Sequence, residues 1–305
     1  MALLLAWLLD VGLGEPPPYF HPVVWMGSYL RTARRLSPPT FTAGAAAWLL
    51  GATVVLAIAF ALQAVLVWVS VHAGAGVTAL LTALALKPLF AWRALRQAAE
   101  TVIEAPDLSG ARRMLSWHLV SRDTTDLTAG EVHAATIESV AENLSDSLVA
   151  PLLYYVLGGL PLAALYRFAN TADAMWGYRT PELEKFGKWA ARTDDVLNLI
   201  PSRLTALLLC LVSPLAGLDA RRAWRVWRRD RKLTASPNAG QPMSAMSGAL
   251  GVNLSKRGYY VLGAEFREPD VRDVRRALRL CTLVAWLVAL TLSGLSILLQ
   301  FVIGA

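Results

Sequence analysis

The chain has 305 residues, of which 55% are hydrophobic and only 17% are charged, whereas about 25% of the residues in ordinary soluble domains are charged. Residues 43–71 and 281–303 contain no charged side chain, and roughly 20 apolar residues suffice to cross a bilayer. This excludes an ordinary water-soluble protein. It predicts an all-α, polytopic membrane bundle forming a single integral membrane domain over residues 1–305, with about four to six membrane segments, some re-entrant, and with cytoplasmic helices and loops.

The N-terminal segment is predicted to be a short helix that dips into the membrane. Residues 1–9 are apolar but lack the basic residues and the small-residue cleavage site of a signal peptide. Asp10 ends the apolar run, and the following loop contains Glu15, several prolines and His21. Each proline fixes its own φ and disfavours helix in the residue before it, so this loop should be rigid.

Three further apolar stretches, residues 77–92, 148–165 and 196–218, are interrupted by prolines or charged residues. They are candidates for broken or re-entrant segments, which membranes tolerate where the exposed backbone lines an enclosed cavity. Outside the lipid we expect helices over residues 93–104 and 107–120.

The clearest helix outside the lipid is predicted over residues 128–150. Thr128 followed three residues later by Glu131 is the capping-box pattern that marks a helix start.

Acidic residues are concentrated in the middle of the chain, because 11 of the 22 lie between Arg122 and Arg203. Glu138, Glu142 and Asp146 follow one another at i, i+4 and i+8, which places them on one helix face. Like charges at this spacing repel each other unless a cation lies between them. The pattern favours a metal site over a solvated acidic stripe, since the helix runs directly into an apolar segment.

A second oxygen-rich motif follows the segment 148–165. Asn170 and Asp173 lie three residues apart, and magnesium prefers such oxygen ligands, often shared with substrate phosphates. An Asn at a helix N-cap with an Asp in the first turn would give the same spacing.

Arg192, Asp194 and Asp195 precede the next apolar stretch, and Arg203 lies within it. Adjacent aspartates cannot share one helix face, so we predict that they serve two partners, a metal and an arginine. A charge at the position of Arg203 requires a counter-ion, for which a bound phosphate and Asp195 are the candidates.

The net charge of +7 comes mainly from residues 219–279, which hold 14 basic and 6 acidic side chains. Trp224 and Trp227 lie among the arginines, which is typical of an interfacial anchor rather than a nucleic-acid-binding surface. Residues 219–280 are therefore predicted to form a basic cytoplasmic loop. Within it, residues 236–240 are predicted to form a Gly- and Asn-containing loop of the kind that can bring backbone N–H groups near an anion, although no P-loop motif is present.

Several short and dissimilar motifs follow one another along the chain. They are residues 14–16 with 21–22, 122–124, 138–143 with Asp146 and Pro151, 170–175 with 177–178, 186–187, 191–195, 201–203 and 236–240. In order and spacing, over roughly residues 10–265, they resemble the CobD/CbiB family of membrane proteins, the adenosylcobinamide-phosphate synthases of cobalamin biosynthesis. The sequence departs from the family pattern with Glu15 in place of Asp, with Ala235 before the late turn, and with Leu254-Ser255-Lys256 where Leu-Gly-Gly is usual.

The resemblance implies an amide-forming ligase that uses ATP and Mg²⁺. It would join a corrinoid, adenosylcobyric acid, to aminopropanol phosphate or aminopropanol. It also implies a multi-pass protein of the inner cell membrane with its active site facing the cytoplasm, contacts with other late-pathway enzymes, and no nucleic-acid partner. Because ATP is cytoplasmic, the acidic blocks on both sides of residues 148–165 must share one membrane face, which predicts a re-entrant or laterally packed segment there.

The resemblance also suggests roles within an acidic catalytic core of about residues 118–203 and the late turn. The expected metal ligands are Glu138, Glu142, Asp146, Asn170 and Asp173. The expected substrate and phosphate contacts are His21, Arg122, Asp123, Thr124, Asn143, Arg203, Ser236 and Asn238. The expected catalytic residues are Arg192, Asp194 and Asp195, of which an aspartate would orient an arginine or accept the proton of the attacking ammonium.

Two other functions fit an acid-rich membrane bundle. A magnesium-dependent prenyltransferase places Asp-rich motifs at the mouth of a helical bundle, but these usually recur as two similar helices, and the blocks here differ from each other. An ion-coupled transporter commonly shows inverted repeats, and we find no internal repeat.

Overall fold

The computed structural model describes residues 1–178 and 180–303, and it confirms the predicted helical membrane architecture. Four helical stretches within the described residues are long and apolar enough to cross a membrane, the lower end of the predicted range. They are Phe41–Ile103, Ala129–Trp176, Leu199–Ala216 and Val271–Leu299.

Twelve α-helices make up the described part of the chain. They are α1 Ala2–Leu13, α2 Pro22–Leu36, α3 Phe41–Leu86, α4 Arg93–Ile103, α5 Leu108–His118, α6 Ala129–Leu144, α7 Ala150–Trp176, α8 Lys188–Leu197, α9 Leu199–Val212, α10 Ala220–Asp230, α11 Gly240–Leu250 and α12 Val271–Ile303. A π-helical turn, Ser145–Val149, joins α6 to α7. Short 3₁₀ helices cover Pro18–Phe20, Lys87–Leu89 and Ser213–Ala216.

One antiparallel β-hairpin interrupts this helical order. Strand β1 is Leu254–Lys256 and strand β2 is Tyr260–Leu262, with Lys256 paired to Tyr260. This hairpin was not predicted from the sequence.

The chain divides into two compact units that alternate along the sequence. Unit 1 comprises residues 1–91, 150–197 and the described residues from 289 on, and unit 2 comprises residues 92–149 and 198–288. The predicted acidic core, residues 118–203, is therefore shared between the units. That the units act as a single integral membrane domain stays a prediction.

Helix α7 reverses direction at two glycines. Gly158 and Gly159 have non-helical backbone angles, with φ 66° and ψ −158° at Gly159. The rings of Tyr154 and Tyr166 stack on either side of the break, 5.1 Å apart. On a straight helix these 12 residues would rise about 18 Å, so the chain must turn back. This is the reversal that the re-entrant prediction for residues 148–165 requires.

Helix α3 also turns back, at Gly74, which has φ 84° and ψ 167°. Ile58 before the turn and Leu84 after it line the same cavity in unit 1, although on a straight helix they would be about 39 Å apart. The weak apolar stretch predicted over residues 77–92 is thus the return leg of a helical hairpin followed by a 3₁₀ turn.

The core of unit 1 is aromatic. The Trp48 and Phe168 rings lie 5.8 Å apart, and Trp176 meets Phe186 edge-on at 4.8 Å. Gly44 lies against the backbone carbonyl of Phe186, where a Cβ atom would clash. Met26 and Leu30 of α2 and Ala190 of α8 are buried in the same cluster, which therefore joins α2, α3, α7 and α8.

Helix α11, which is buried along its whole length, forms the centre of unit 2. It packs against α6, α9 and α10. The indole N–H of Trp227 donates to Gln241 Oε1 at 2.9 Å, so Trp227 is buried and its predicted role as an interfacial anchor is wrong. Trp224 keeps 43% of its surface exposed.

The prediction of a basic loop over residues 219–280 is also wrong in form, because this stretch folds into helices and a hairpin. Four arginines of α10 are exposed, whereas Val226 and Trp227 face inward. The fifth, Arg222, donates to the Gly248 and Ala249 carbonyls at the end of α11. The positive charge is therefore carried by a structured part of unit 2.

The reversal of α7 depends on glycine. The backbone angles of Gly159 are essentially restricted to glycine, and an added Cβ would also lie 3.0 Å from Gln63 Oε1. We expect Gly159→Ala to lower the free energy of unfolding by about 1–3 kcal/mol, measured by denaturation in mixed micelles. The matched control is Gly76→Ala, where a Cβ meets open space. Because alanine has a higher helix propensity than glycine, this change should raise the free energy of unfolding by up to about 1 kcal/mol. Equal stability of the two variants would contradict the reversal.

Candidate functional site

Acidic and basic side chains line a pocket of unit 2 with a volume of about 190 Å³. We call it the acidic pocket. Its charged or polar lining residues are Ser121, Arg122, Glu138, Ser139, Glu142, Asn143, Lys256 and Tyr260. Arg122 precedes α6, four of the residues lie on α6, and Lys256 and Tyr260 lie on the β-hairpin.

The start of α6 is fixed by the predicted capping box. The Thr128 hydroxyl accepts the Glu131 N–H, and the Glu131 carboxylate accepts the Thr128 N–H. From this start, Glu138 and Glu142 lie one turn apart on the face that lines the pocket. The Ser139 hydroxyl donates to the Leu119 carbonyl at 3.0 Å, which ties the segment carrying Arg122 to the same face.

Glu138 is the buried charge of the pocket, with only 5% of its surface exposed. Its Oε2 atom lies 3.5 Å from Arg122 Nη2. Its Oε1 atom is buried and accepts no hydrogen bond of ordinary length from the described residues, and the hydroxyl of Tyr260 interacts with the same carboxylate at longer range. Leaving a buried polar atom unpaired costs about 1–3 kcal/mol, and more for a charged group. The arrangement favours a bound ligand that donates to this oxygen.

Tyr260 contributes a hydroxyl donor to the acidic pocket. Burial, and next the negative charges of Glu138 and Glu142, raise the pKa of Tyr260 well above its usual value. The phenol therefore stays protonated, and it can donate a hydrogen bond to a carboxylate or to a ligand oxygen.

Asp146 does not line the acidic pocket, although the sequence places it on the Glu138 and Glu142 face. It lies in the π-helical turn that follows α6, where the helical period changes. Of the predicted stripe, Glu138 and Glu142 line the pocket, together with Asn143, which was predicted as a substrate contact.

No group of three or more His, Cys, Asp or Glu side chains that could hold a metal ion occurs within residues 1–178 and 180–303. Magnesium commonly uses only one or two carboxylates and takes its other ligands from phosphates and water. Metal binding by Glu138, Glu142, Asp146, Asn170 and Asp173 stays a prediction.

A second cavity of unit 2, about 410 Å³ in volume, has a basic lining, and we call it the basic cavity. Its polar lining residues are Arg203, Arg231, Lys232, Thr234, Ser236 and Gln241. Arg203 lies on α9 and Gln241 on α11, and the other four lie in the loop between α10 and α11. Three cations and two hydroxyls in one cavity suit a phosphate group.

The predicted late turn organises the basic cavity. Asn238 Oδ1 accepts from the Ser202 hydroxyl at 3.2 Å and from Arg203 Nη1 at 3.3 Å. The Ser236 hydroxyl accepts the Asn238 N–H at 3.2 Å. The structure thus brings together three predicted phosphate contacts, Arg203, Ser236 and Asn238. Arg231 and Lys232 also line the cavity, although the sequence predicted them only as part of a basic loop.

In unit 1, a predicted metal ligand on α7 is hydrogen-bonded to a predicted catalytic residue on α8. Asn170 Nδ2 donates to Asp194 Oδ1 at 3.3 Å. Asn170 lies inside α7, so the alternative that it caps a helix is wrong. Asp194 is buried, whereas Arg192 is exposed on another face of α8, which separates these two predicted catalytic residues.

Ion pairs connect the N-terminal loop of unit 1 to the end of α3, and we call them the N-terminal network. His21 Nδ1 accepts the Val23 N–H, so His21 Nε2 carries the proton and donates to Glu15 Oε2 at 3.0 Å. Lys87 Nζ lies 2.8 Å from Glu15 and 3.0 Å from Asp10. Burial acts to raise the pKa of Glu15, but hydrogen bonds from His21 and Lys87 outweigh it and lower the pKa.

Two predicted substrate contacts shape a turn instead of lining the acidic pocket. The exposed Asp123 carboxylate accepts both the N–H and the hydroxyl of Thr125, and these hydrogen bonds lower the pKa of Asp123. The buried Thr124 hydroxyl donates to the Arg112 carbonyl at 2.9 Å. Both side chains position the segment that carries Arg122.

Comparison with known proteins gives a consistent result over nearly the whole chain. The family model described as CobD/Cbib protein matches residues 3–281. The chain is 39% identical to the probable cobalamin biosynthesis protein CobD of Methanothermobacter thermautotrophicus over 294 residues, 96% of each chain. It is 42% identical to the protein of the same name from Thermococcus kodakarensis, covering 95% of this chain and 93% of the relative. The cobalamin biosynthesis protein CobD of Klebsiella pneumoniae is 36% identical, with 92% of each chain covered. No solved structure matches the chain.

The N-terminal network predicts a strong dependence on Lys87, because Asp10 is fully buried beside it. Removing one partner of a buried ion pair costs about 3–5 kcal/mol, since the other charge stays buried. We expect Lys87→Met to lower the free energy of unfolding by about that amount, measured by denaturation in mixed micelles.

The matched control is Arg35→Met, at an exposed position of α2, which should change stability little. Adding Asp10→Asn to Lys87→Met should recover part of the loss. If Lys87→Met unfolds with the same midpoint as the control, the network is not a stabilising element.

Proposed function

The chain belongs to the CobD/CbiB protein family, and on this premise we propose that it catalyses an ATP-dependent amide synthesis in cobalamin biosynthesis. The reaction joins adenosylcobyric acid to aminopropanol phosphate, or to free aminopropanol, and gives adenosylcobinamide phosphate or adenosylcobinamide. The observation that carries the proposal is the acidic pocket, where a buried Glu138 oxygen accepts no hydrogen bond of ordinary length from the described residues, in the same unit as a cavity lined by three cations.

The chemistry explains why such a protein needs both kinds of site. A carboxylate is a poor acyl donor because its leaving group would be oxide. Transfer of the γ-phosphoryl group of ATP to the carboxylate gives an acyl phosphate and ADP. The neutral amine then attacks the acyl carbon, phosphate leaves with the C–O bond electrons, and the amine loses a proton to a base.

The cations of the basic cavity are proposed to bind the phosphates of ATP. Arginine guanidinium groups match phosphate geometry with two parallel hydrogen bonds, and lysine supplies a point charge. Arg203 is held by Asn238 and by the Leu199 carbonyl, at 3.3 and 2.7 Å. A cation fixed in this way stabilises transferred phosphoryl charge without reorganising during the reaction.

Magnesium, when bound, would supply positive charge that neutralises the charge developing on the transferred phosphoryl group. Within unit 1, Asn170 and Asp173 are the predicted oxygen ligands, next to the buried Asp194. Within unit 2 the predicted ligands are Glu138, Glu142 and Asp146. Carboxylate and amide oxygens are the ligand types that magnesium takes in proteins when phosphate supplies its other ligands.

Asp194 and Asp195 are proposed to orient an arginine or to accept the ammonium proton, and Arg192 to contact phosphate. Four helical stretches of membrane-spanning length support a multi-pass protein, and we propose that it lies in the inner membrane. Because ATP is cytoplasmic, its active site should face the cytoplasm.

The proposed reaction is tested with purified protein in nanodiscs supplied with adenosylcobyric acid, Mg-ATP and aminopropanol phosphate. We expect amide product by mass spectrometry and one ADP for each amide formed. Glu142→Gln should abolish turnover while membrane expression stays intact, and Glu184→Gln, at an exposed position, should leave turnover unchanged. ATP consumption without amide, with each amine tested, would contradict the proposal.

The basic cavity predicts how ATP binding responds to charge. We expect Arg231→Ala to raise the KM for ATP about tenfold, the effect of losing roughly 1.4 kcal/mol of charge-assisted hydrogen bonding. The KM for the amine should not change. Arg225→Ala removes the same charge from an exposed position of α10 and serves as the control. A change in the KM for the amine alone would assign the basic cavity to another substrate.

A further inference from the structure

The acidic pocket contains equal numbers of cations and carboxylates. Arg122 and Lys256 line it together with Glu138 and Glu142. The formal charges of these four side chains cancel. A pocket built for a bare divalent cation would instead carry an excess of carboxylates. The balance favours a ligand that carries both a positive and a negative group.

The volume of the acidic pocket limits that ligand to a small molecule. Its 190 Å³ is below the roughly 300–1,000 Å³ of pockets that enclose drug-sized ligands. A nucleotide and a corrinoid are both too large to be enclosed there. Of the three proposed substrates, only the amino alcohol or its phosphate ester fits.

The buried Oε1 oxygen of Glu138 indicates where the positive group lies. Glu138 Oε2 faces Arg122, but Oε1 accepts no hydrogen bond of ordinary length in the described part of the chain. An alkylammonium group carries three N–H donors, so it can donate to Oε1 and to the neighbouring Glu142 at once. Leu119, Val120 and Ala135 add an apolar wall against which a short alkyl chain can pack.

We infer that the acidic pocket binds the amine substrate as a zwitterion, with its ammonium group on Glu138 and Glu142 and its phosphate on Arg122 and Lys256. This rests on the proposed amide synthesis and removes Glu138 and Glu142 from the magnesium ligands proposed above. Lys256 sets the choice between amines, because it contacts the phosphate that free aminopropanol lacks.

The β-hairpin is the element that supplies this specificity. Lys256 and Tyr260 are paired across its two strands, and both line the pocket. Arg257 in the turn forms an ion pair with Glu131, in the first turn of α6. The hairpin is thereby attached to the helix that carries the two carboxylates, which fixes the distance between the ammonium and phosphate subsites.

The inference is tested by calorimetric titration of the nanodisc-embedded protein with aminopropanol phosphate and with free aminopropanol, in EDTA and in Mg²⁺. We expect the phosphate ester to bind equally well in both media. Glu138→Gln should weaken both amines about 10- to 100-fold, and Lys256→Ala should weaken the phosphate ester alone by a similar factor, as for one lost charge-assisted hydrogen bond. Arg228→Ala and Glu184→Gln, at exposed positions, are the controls.

Binding that requires Mg²⁺ would overturn the inference and return Glu138 and Glu142 to a metal site. So would unchanged affinity in both pocket variants while they elute and melt like the wild-type protein. The two proposals fail separately. Amine binding without amide product would sink the proposed reaction alone, whereas amide product with unaltered amine affinity in both variants would sink the pocket assignment alone.

Discussion

The buried carboxylate of Glu138 is the constraint on which the arrangement of unit 2 depends. A charged group inside a helix that continues into apolar sequence is tolerated only when opposite charge or donors surround it. Arg122 supplies one partner, and the protonated hydroxyl of Tyr260 lies nearby as a donor. The segment after α5 and the β-hairpin therefore have to meet at α6. The capping box, the Ser139 contact to Leu119 and the Arg257–Glu131 ion pair hold these elements around one side chain.

Glycine decides the shape of unit 1 in the same way that charge decides that of unit 2. Both helical reversals occur where a glycine takes backbone angles that other residues avoid, at Gly74 and Gly159. Each reversal turns an apolar stretch into a hairpin whose polar backbone groups must be satisfied within the protein. The buried Lys87 at the end of the α3 hairpin then draws Asp10 and Glu15 to it. A chain read only for hydrophobicity would place both stretches as simple spans.

Local signals in the sequence predicted local features correctly. The capping box at Thr128, the helix over residues 93–104 and the close placement of Glu138 and Glu142 all follow from spacing along one segment. The break in the segment 148–165 was also predicted, from the need to keep the acidic blocks on one membrane face. These features depend on neighbours within about four residues or on a single physical requirement.

The missed features all depend on contacts between distant segments. Lys256 lies 118 positions after Glu138 in the sequence, and nothing in its local pattern indicates that a hairpin carries it to the acidic pocket. Arg231 and Lys232 were predicted to be ordinary basic residues of a cytoplasmic loop. Trp227 looked like an interfacial anchor because its partner, Gln241, is on another helix. Hydrophobic periodicity predicts on which face of a helix a residue lies, but it does not predict which other segment packs against that face.

Helix α11 contacts elements that line both cavities of unit 2. At its start, Gln241 lines the basic cavity and holds Trp227 of α10. Further along, the Ser247 hydroxyl donates to the carbonyls of Val252 and Leu262, at 2.7 and 3.3 Å, and so fixes the ends of the β-hairpin. Gly248 allows α10 to approach closely, since a Cβ there would lie 2.7 Å from the Arg222 carbonyl. A helix buried on all sides has little room to shift alone, so α11 holds in place both the residues at the basic cavity and the hairpin that completes the acidic pocket.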